Sequence, residues 1–318
     1  MAEVTRVDPE DKSSLFEIST HTYKTNDETP ILTDVLVPKR IVQDDIESPA
    51  ENEKLPIMIH LHEGVLVKEF LPWFSIWLLE LTLKHNAIIL GHNLDSAKNK
   101  LRVATTICMD LNRVLVTAES AGGYLAMQLA LEHFNSASEP KIRTVVPLYP
   151  IIGQMIDVRS PYWIMDYEKS IFGGPQLPSS FIDEFIVSAS KSPKQIVTNN
   201  PIVLDSPRIR FSFALVQRGR ILEVMGPDHN HSPGKLRIHP EDRIVDGWMS
   251  PPTLFLQGSE DGVVPLAGFE KIVDFPRRHK AVMGLKEGRD DDEVLRLVVH
   301  RGERGFDNVL HIDDEDCL

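Results

Sequence analysis

Short, almost continuously apolar runs recur along the chain, and amphipathic segments separate them. An apolar run suits a strand that is covered on both faces, whereas an amphipathic segment suits a helix with one buried side. Strands and helices in alternation predict an α/β protein with a mostly parallel central sheet and flanking helices. The predicted strands are 32–37, 55–61, 87–90, 113–117, 142–148, 253–256 and 294–300, and the predicted helices nearest the motifs below are 73–84 and 121–134.

The strand pattern stops for about 100 residues between Tyr149 and Trp248. Loops of this length inside a compact domain are seldom structureless, so we expect a cap insertion at about 150–248, over the carboxyl ends of the strands. Residues 1–52 are polar and predict a peripheral N-terminal segment. Residues 53–318 then form the main domain, which carries the cap.

The overall charge excludes one large class of partners. Lys and Arg number 34 against 47 Asp and Glu, a net charge of −13, so we expect no nucleic-acid partner. Cys108 and Cys317 lie far apart, without a neighbouring Cys or paired-His pattern, and predict neither a disulfide framework nor a metal site. The N-terminus lacks a secretory pattern and no apolar stretch is long enough for a membrane span, so we expect a cytoplasmic protein.

The segment 114–123, VLVTAESAGG, predicts a strand that turns sharply into a helix at Ser120. Small residues two positions before and after the serine, Ala118 and Gly122, allow strand and helix to approach closely, as in a nucleophile elbow. The helix N-terminus would aim backbone N–H groups, that of Ala121 among them, at an anion that develops nearby. An ordinary serine at a helix start is the alternative.

A candidate acid follows a later predicted strand. In the segment 254–265, LFLQGSEDGVVP, Asp261 lies in the turn after the strand, where a carboxylate could orient a histidine. An aspartate beside a glycine is also common in ordinary turns. The order of Ser120 and then Asp261 along the chain favours the catalytic interpretation.

These motifs resemble those of the α/β-hydrolase superfamily, and within it the hormone-sensitive-lipase-like esterases, over about Leu55 to Asp307. The matching pieces are 62–65 (HEGV, where the family has HGGG), 119–123 (ESAGG), 258–265 and 302–307 (GERGFD). The resemblance implies the α/β-hydrolase fold and hydrolysis of carboxylic esters without metal or organic cofactor. It also implies Ser120 as nucleophile, Asp261 as acid, and the backbone of Gly64 and Ala121 as oxyanion hole.

The chain departs from this family at two places. Glu63 and Val65 stand where the oxyanion loop has glycines, and Arg304 stands where the pattern has the catalytic histidine. A guanidinium stays protonated and cannot accept a proton from serine. We therefore hypothesise that Glu63 and Arg304 pair in the catalytic space. The other histidines weighed as a base or as structural residues are His62, His92, His300 and His311, while His229 and His231 are assigned to a cap loop.

The sequence is consistent with two functions. A third possibility is a truncated or misassembled gene product, because the segment before Ser120 is shorter than in the family. The first is an esterase of a small apolar substrate with an impaired or relocated base. The alternative is an inactive pseudo-hydrolase that binds a small ligand or a partner protein. Plant gibberellin receptors resemble the same family and also lack the histidine. A homodimer is left open.

Overall fold

An eight-stranded mixed sheet forms the centre of the protein. Its strands are β1 (Phe16–Asn26), β2 (Thr29–Pro38), β3 (Leu55–Leu61), β4 (Ile88–Gly91), β5 (Met109–Glu119), β6 (Ile142–Leu148), β7 (Thr253–Gly258) and β8 (Leu295–His300). They lie in the order β1-β2-β4-β3-β5-β6-β7-β8. The β1–β2 and β2–β4 pairs are antiparallel, and every other pair is parallel.

The structure is a computed structural model that describes residues 12–26, 29–39, 54–63, 74–91, 109–134, 140–152, 176–191, 206–221, 240–245, 248–264, 266, 269 and 295–314. Its helices are α1 (Ile76–His85), α2 (Ser120–Phe134), α3 (Ser179–Lys191), α4 (Pro207–Gln217) and α5 (Pro240–Val245). Single 3-10 turns cover Lys12–Leu15 and Phe306–Val309.

Successive residues of the central strands pack into two different apolar clusters. Ile57 and Ile59 of β3 belong to one cluster, which also contains much of α2. Met58 lies between them and belongs to the second cluster, together with Trp77 of α1. Because side chains alternate across a strand, the two clusters lie on opposite faces of the sheet. This explains why the central parallel strands β3 and β4 are apolar at nearly every position.

Two local features determine how the helices meet the sheet. Helix α1 ends at His85 and is capped by Asn86, whose left-handed backbone (φ 50°) lets its N–H bond the Leu83 carbonyl, as at many helix ends. Helix α2 begins at Ser120, directly after the last residue of β5. The β5–α2 connection therefore has no loop, and Ser120 is itself the turn.

The predicted α/β architecture is confirmed, including all seven predicted strands and both predicted helices. The N-terminal segment contributes two strands to one edge of the sheet and buries Val35 and Leu36. The domain bounds at residue 52 and the cap at 150–248 stay predictions. Helices α3, α4 and α5 lie in this insertion, and several of their apolar side chains join the main cluster. Within the described residues, no helix has the length and apolar character needed to cross a membrane.

Candidate active site

The carboxyl ends of β3 and β5 lie side by side at the point where the sheet changes direction. The chain leaves β3 towards β4 on one side and leaves β5 towards β6 on the other. Such a switch point opens a crevice outside the strand ends, where α/β proteins bind their ligands. His62 and Glu63 follow β3 there, and Ser120 follows β5.

Ser120 has the strained backbone of a nucleophile elbow. Its φ is 53°, a left-handed value that is rare for residues other than glycine. The residue is only 4% exposed, and its hydroxyl makes no hydrogen bond with the described part of the chain. Its carbonyl accepts the N–H of Ile151 at 2.9 Å, which ties the elbow to the end of β6.

Gly122 shows why a small residue is needed after the serine. A Cβ at this position would press against the carbonyl oxygen of Leu61 and would lie 2.6 Å from that of His62. The first turn of α2 therefore touches the backbone that leaves β3. This contact brings the segment that begins the predicted oxyanion loop next to the elbow.

The predicted oxyanion hole draws on the first turn of α2 and on the segment that follows β3. The N–H of Ala121 belongs to the first turn of α2, where backbone donors have no partner within the helix. Gly64 and Val65 lie outside the described residues. His62 bonds the Glu63 carbonyl through Nδ1, and the Glu63 carboxylate adds to the negative charge around Tyr149.

Asp261 is a buried and fully engaged carboxylate. Its Oδ1 accepts the N–H groups of Val263 and Val264 at 2.8 and 2.9 Å. Its Oδ2 accepts Gln257 Nε2 at 3.2 Å and Arg304 Nη1 at 3.0 Å. These bonds fix the carboxylate at the carboxyl end of β7, which is where the sequence predicted a catalytic acid.

Arg304 is held in place by Asp261 and Tyr149. Its side chain is 6% exposed and that of Asp261 is 0% exposed, so their ion pair is buried. Nη2 also donates to the Tyr149 carbonyl at 3.4 Å, and the guanidinium lies 4.4 Å from the centre of the Tyr149 ring. The expected pairing of Arg304 with Glu63 is therefore wrong, since the carboxylate bonded to Arg304 is that of Asp261.

The segment that carries Arg304 is fastened to the segment that carries Asp261. Glu260 donates its N–H to the Gly302 carbonyl at 2.8 Å, and Ser259 donates to the carbonyl of His300 at the same distance. A Cβ on Gly258 would lie 2.7 Å from the Gly302 oxygen, so a glycine is needed for this approach. Acid and residue 304 therefore meet in the way that the sequence resemblance implied.

Comparisons with known proteins agree with this geometry. The probable carboxylesterase M8 of Phoma sp. is 24% identical to the chain over 92% of the chain and 90% of its own length. Carboxyl esterase 2 of the fungus Tuber melanosporum has a similar structure, with a TM-score of 0.51 at 13% identity over 98% of the chain and 85% of the esterase. The chain has the α/β-hydrolase fold. A bacterial heroin esterase is also similar, with a TM-score of 0.51 at 14% identity over 92% of the chain and 78% of that enzyme. No protein-family model matches the sequence.

In this α/β-hydrolase-fold protein, no histidine of the described residues bonds Asp261. His300 stacks on Phe306, with ring centres 4.8 Å apart, and His311 bonds Glu80 at 2.8 Å. His62 is at the site but bonds the Glu63 carbonyl. His92, His229 and His231 lie outside the described residues. No group of metal-binding side chains is found in the part of the chain that the structure describes.

Tyr149 and Asp307 are site-region residues that sequence reasoning did not single out. Tyr149 follows β6 with a φ of 35°, and its hydroxyl donates to Asp307 Oδ1 at 3.0 Å. Burial raises the pKa of the Tyr149 phenol well above its usual range, and the carboxylates of Asp307, Glu119 and Glu63 raise it further. The available signals were the aromatic residue directly after an apolar strand and the aspartate in the final motif, GERGFD.

Proposed function

We propose that this protein hydrolyses carboxylic esters of small, uncharged or apolar compounds, with Ser120 as the nucleophile. The observation that carries this proposal is the backbone of Ser120, which is strained at φ 53° and turns directly from β5 into α2. The likeness to a probable carboxylesterase over most of both chains supports the same reaction class. Neither the relative nor the fold favours the inactive alternative.

The reaction would proceed by acyl transfer through the serine. The Ser120 oxygen attacks the ester carbonyl carbon, and the negative charge that develops on the carbonyl oxygen faces the first turn of α2, where Ala121 offers its N–H. The C–O bond to the alcohol then breaks, and the alcohol leaves with a proton. Water hydrolyses the acyl-serine and releases the carboxylic acid.

The ion pair of Asp261 and Arg304 limits the rate of this reaction. The pair occupies the place of the acid and histidine in the family pattern, and a guanidinium cannot accept the Ser120 proton. With no histidine of the described residues bonded to Asp261, the proton passes to water or hydroxide. A site that lacks a triad member typically retains about 10³–10⁴-fold acceleration over water from its remaining groups. We therefore propose slow but measurable turnover.

Hydrolysis of short-chain p-nitrophenyl esters tests the proposal. Wild type and Ser120→Ala, purified identically, are compared for turnover, and the intact protein is weighed by mass spectrometry after brief exposure to ester. We expect turnover and an acyl mass increase in wild type, and neither in Ser120→Ala. Equal rates for both proteins and no acyl adduct would contradict the proposal and leave the ligand-binding alternative. A cytoplasmic location and a homodimer stay predictions.

A further inference from the structure

Tyr149 contacts the side chain of Arg304 with both its ring and its backbone carbonyl. The aromatic ring lies under the guanidinium at 4.4 Å, and the Tyr149 carbonyl accepts Nη2 at 3.4 Å. Arginine has several freely rotating bonds, so a guanidinium without such a support would sample many positions. The ring and the carbonyl restrict it to the position in which Nη1 reaches Asp261.

Tyr149 is itself held by Asp307. Its hydroxyl donates to Asp307 Oδ1 at 3.0 Å, and the second carboxylate oxygen accepts the hydroxyl of Ser75. Ser75 immediately precedes α1, yet its side chain does not cap that helix, because its hydroxyl is bonded to Asp307. These two hydrogen bonds connect the end of β6 to the start of α1, and all three residues are buried.

The Tyr149 hydroxyl is unsuited to act as the missing base. It already donates its proton to a carboxylate, and burial keeps its pKa well above the usual range, so the phenolate is negligible at neutral pH. Its position suits a supporting role, since it contacts residue 304 with the ring and carbonyl and Asp307 with the hydroxyl.

We propose that Tyr149 and Asp307 are positioning residues that hold the side chain at position 304 against Asp261. Asp307 fixes the tilt of the Tyr149 ring, and the ring and carbonyl fix residue 304. This inference rests on the proposed function, because the side chain at position 304 affects catalysis only if the protein hydrolyses esters. The contacts themselves can be tested whether or not the protein hydrolyses esters.

Labelling of arginine by phenylglyoxal, followed by peptide mass spectrometry, tests the contacts without an activity assay. Arg304 is 6% exposed and Arg301, three residues earlier, is 95% exposed, so the two form an internal comparison. Tyr149→Phe removes only the hydroxyl. Loss of one hydrogen bond to a buried carboxylate should raise the labelling rate of Arg304 about tenfold. The rate of Arg301 should not change.

Tyr124→Phe is the matched control. Tyr124 is also buried, and its hydroxyl accepts Gln128 Nε2 at 3.2 Å within α2, so Tyr124→Phe removes a buried tyrosine hydroxyl that bonds neither Asp307 nor Arg304. We expect it to leave Arg304 labelling at the wild-type rate. Ser75→Ala, which removes the other hydrogen bond to Asp307, should raise Arg304 labelling in the same direction as Tyr149→Phe. Unchanged Arg304 labelling in both site variants would overturn the proposal, as would an equal rise in Tyr124→Phe.

A kinetic experiment separates positioning from general stability. In an Arg304→His background, Tyr149→Phe should lower kcat for p-nitrophenyl butyrate by about tenfold with little change in KM, because the imidazole is held less often against Asp261. It should also move the pH inflection of kcat/KM towards the value of free histidine. A loss that disappears once rates are corrected for the folded fraction, with an unmoved inflection, would mean that Tyr149 is merely structural.

Discussion

Replacing Arg304 with histidine should create a working base beside Asp261, in a protein that already presents Ser120 on a strained elbow. The side chain at position 304 contacts Asp261 at 3.0 Å, and the backbone bond from Glu260 to Gly302 keeps the two turns together. An imidazole that donates one N–H to Asp261 leaves its second nitrogen to accept the proton of Ser120. No other substitution is needed for this test.

The size of the gain follows from what a positioned base contributes. General base catalysis is typically worth about 10²–10⁴-fold. We expect the lower end, about 10²-fold or about 2.7 kcal/mol of activation free energy, for two reasons. Histidine is shorter than arginine, so the turn must adjust. The predicted oxyanion loop also carries Glu63 and Val65 where the family pattern has glycines.

The assay is kcat/KM for p-nitrophenyl butyrate between pH 5 and 10. Activity of Arg304→His should rise with pH as the imidazole loses its proton, with an inflection above about 6.5, because the Asp261 carboxylate favours the imidazolium. Arg304→Gln, which can bond Asp261 but cannot act as a base, is the matched control. The double variant Arg304→His/Ser120→Ala should be inactive. If Arg304→His is no faster than Arg304→Gln at any pH while both remain folded, the reasoning about position 304 is refuted.

Three further outcomes follow from the contacts. Asp261→Asn leaves a buried guanidinium without its carboxylate and should cost about 3–5 kcal/mol in urea unfolding; a loss below about 1 kcal/mol would contradict this. Burial raises the pKa of Glu80, but its hydrogen-bond donors lower it to about 2, so its stabilising effect is complete above pH 4.5 and is lost as the pH falls towards 2. Glu80→Gln should therefore lower the free energy of unfolding in urea at pH 6 by about 1–2 kcal/mol, after allowance for solvent screening, but not near pH 2; an equal effect at both pH values would argue against this pKa. Gly122→Ala places a Cβ against the backbone that leaves β3 and should abolish activity or folding, whereas Gly262→Ala, with nothing within 4 Å of its Cβ, should fold normally.

The sheet could be predicted from the sequence because its parallel strands are buried on both faces. Such strands are apolar at most positions, so β3 and β6 were found to the residue. The edge strand β8 was also found, although it is only partly buried, because its sequence is mostly apolar. Strand β1, FEISTHTYKTN, was not predicted, since it mixes polar and apolar residues throughout. It pairs only with β2, and its hydrogen bonds rather than an apolar pattern place it in the sheet.

The partner of Arg304 could not be predicted, because two carboxylates were available and only the fold distinguishes them. The motif pattern predicted that Glu63 and Asp261 both lie in the crevice that Arg304 enters. Glu63 is 241 residues from Arg304 in the sequence, and Asp261 is 43 residues from it. Asp261 pairs with Arg304 because the turns that carry them are joined by backbone hydrogen bonds. Tyr149 and Asp307 lie 158 residues apart, and their contact likewise depends on tertiary structure alone.

The ion pair of Arg304 and Asp261 implies that activity and stability respond in opposite directions at position 304. A guanidinium compensates the buried carboxylate at every pH, whereas an imidazole does so as a cation only below its pKa. Asp261 should raise the folded-state pKa of the imidazole in Arg304→His above the unfolded value of about 6.5. The stabilisation from the imidazolium is then complete below that unfolded value and is lost as the pH rises through the folded-state pKa. Arg304→His should therefore approach wild-type stability at pH 5.5 and fall further below it at pH 9, where it is most active. Urea midpoints of both proteins at the two pH values measure this difference, and an equal deficit at both would mean that no imidazolium pairs with Asp261.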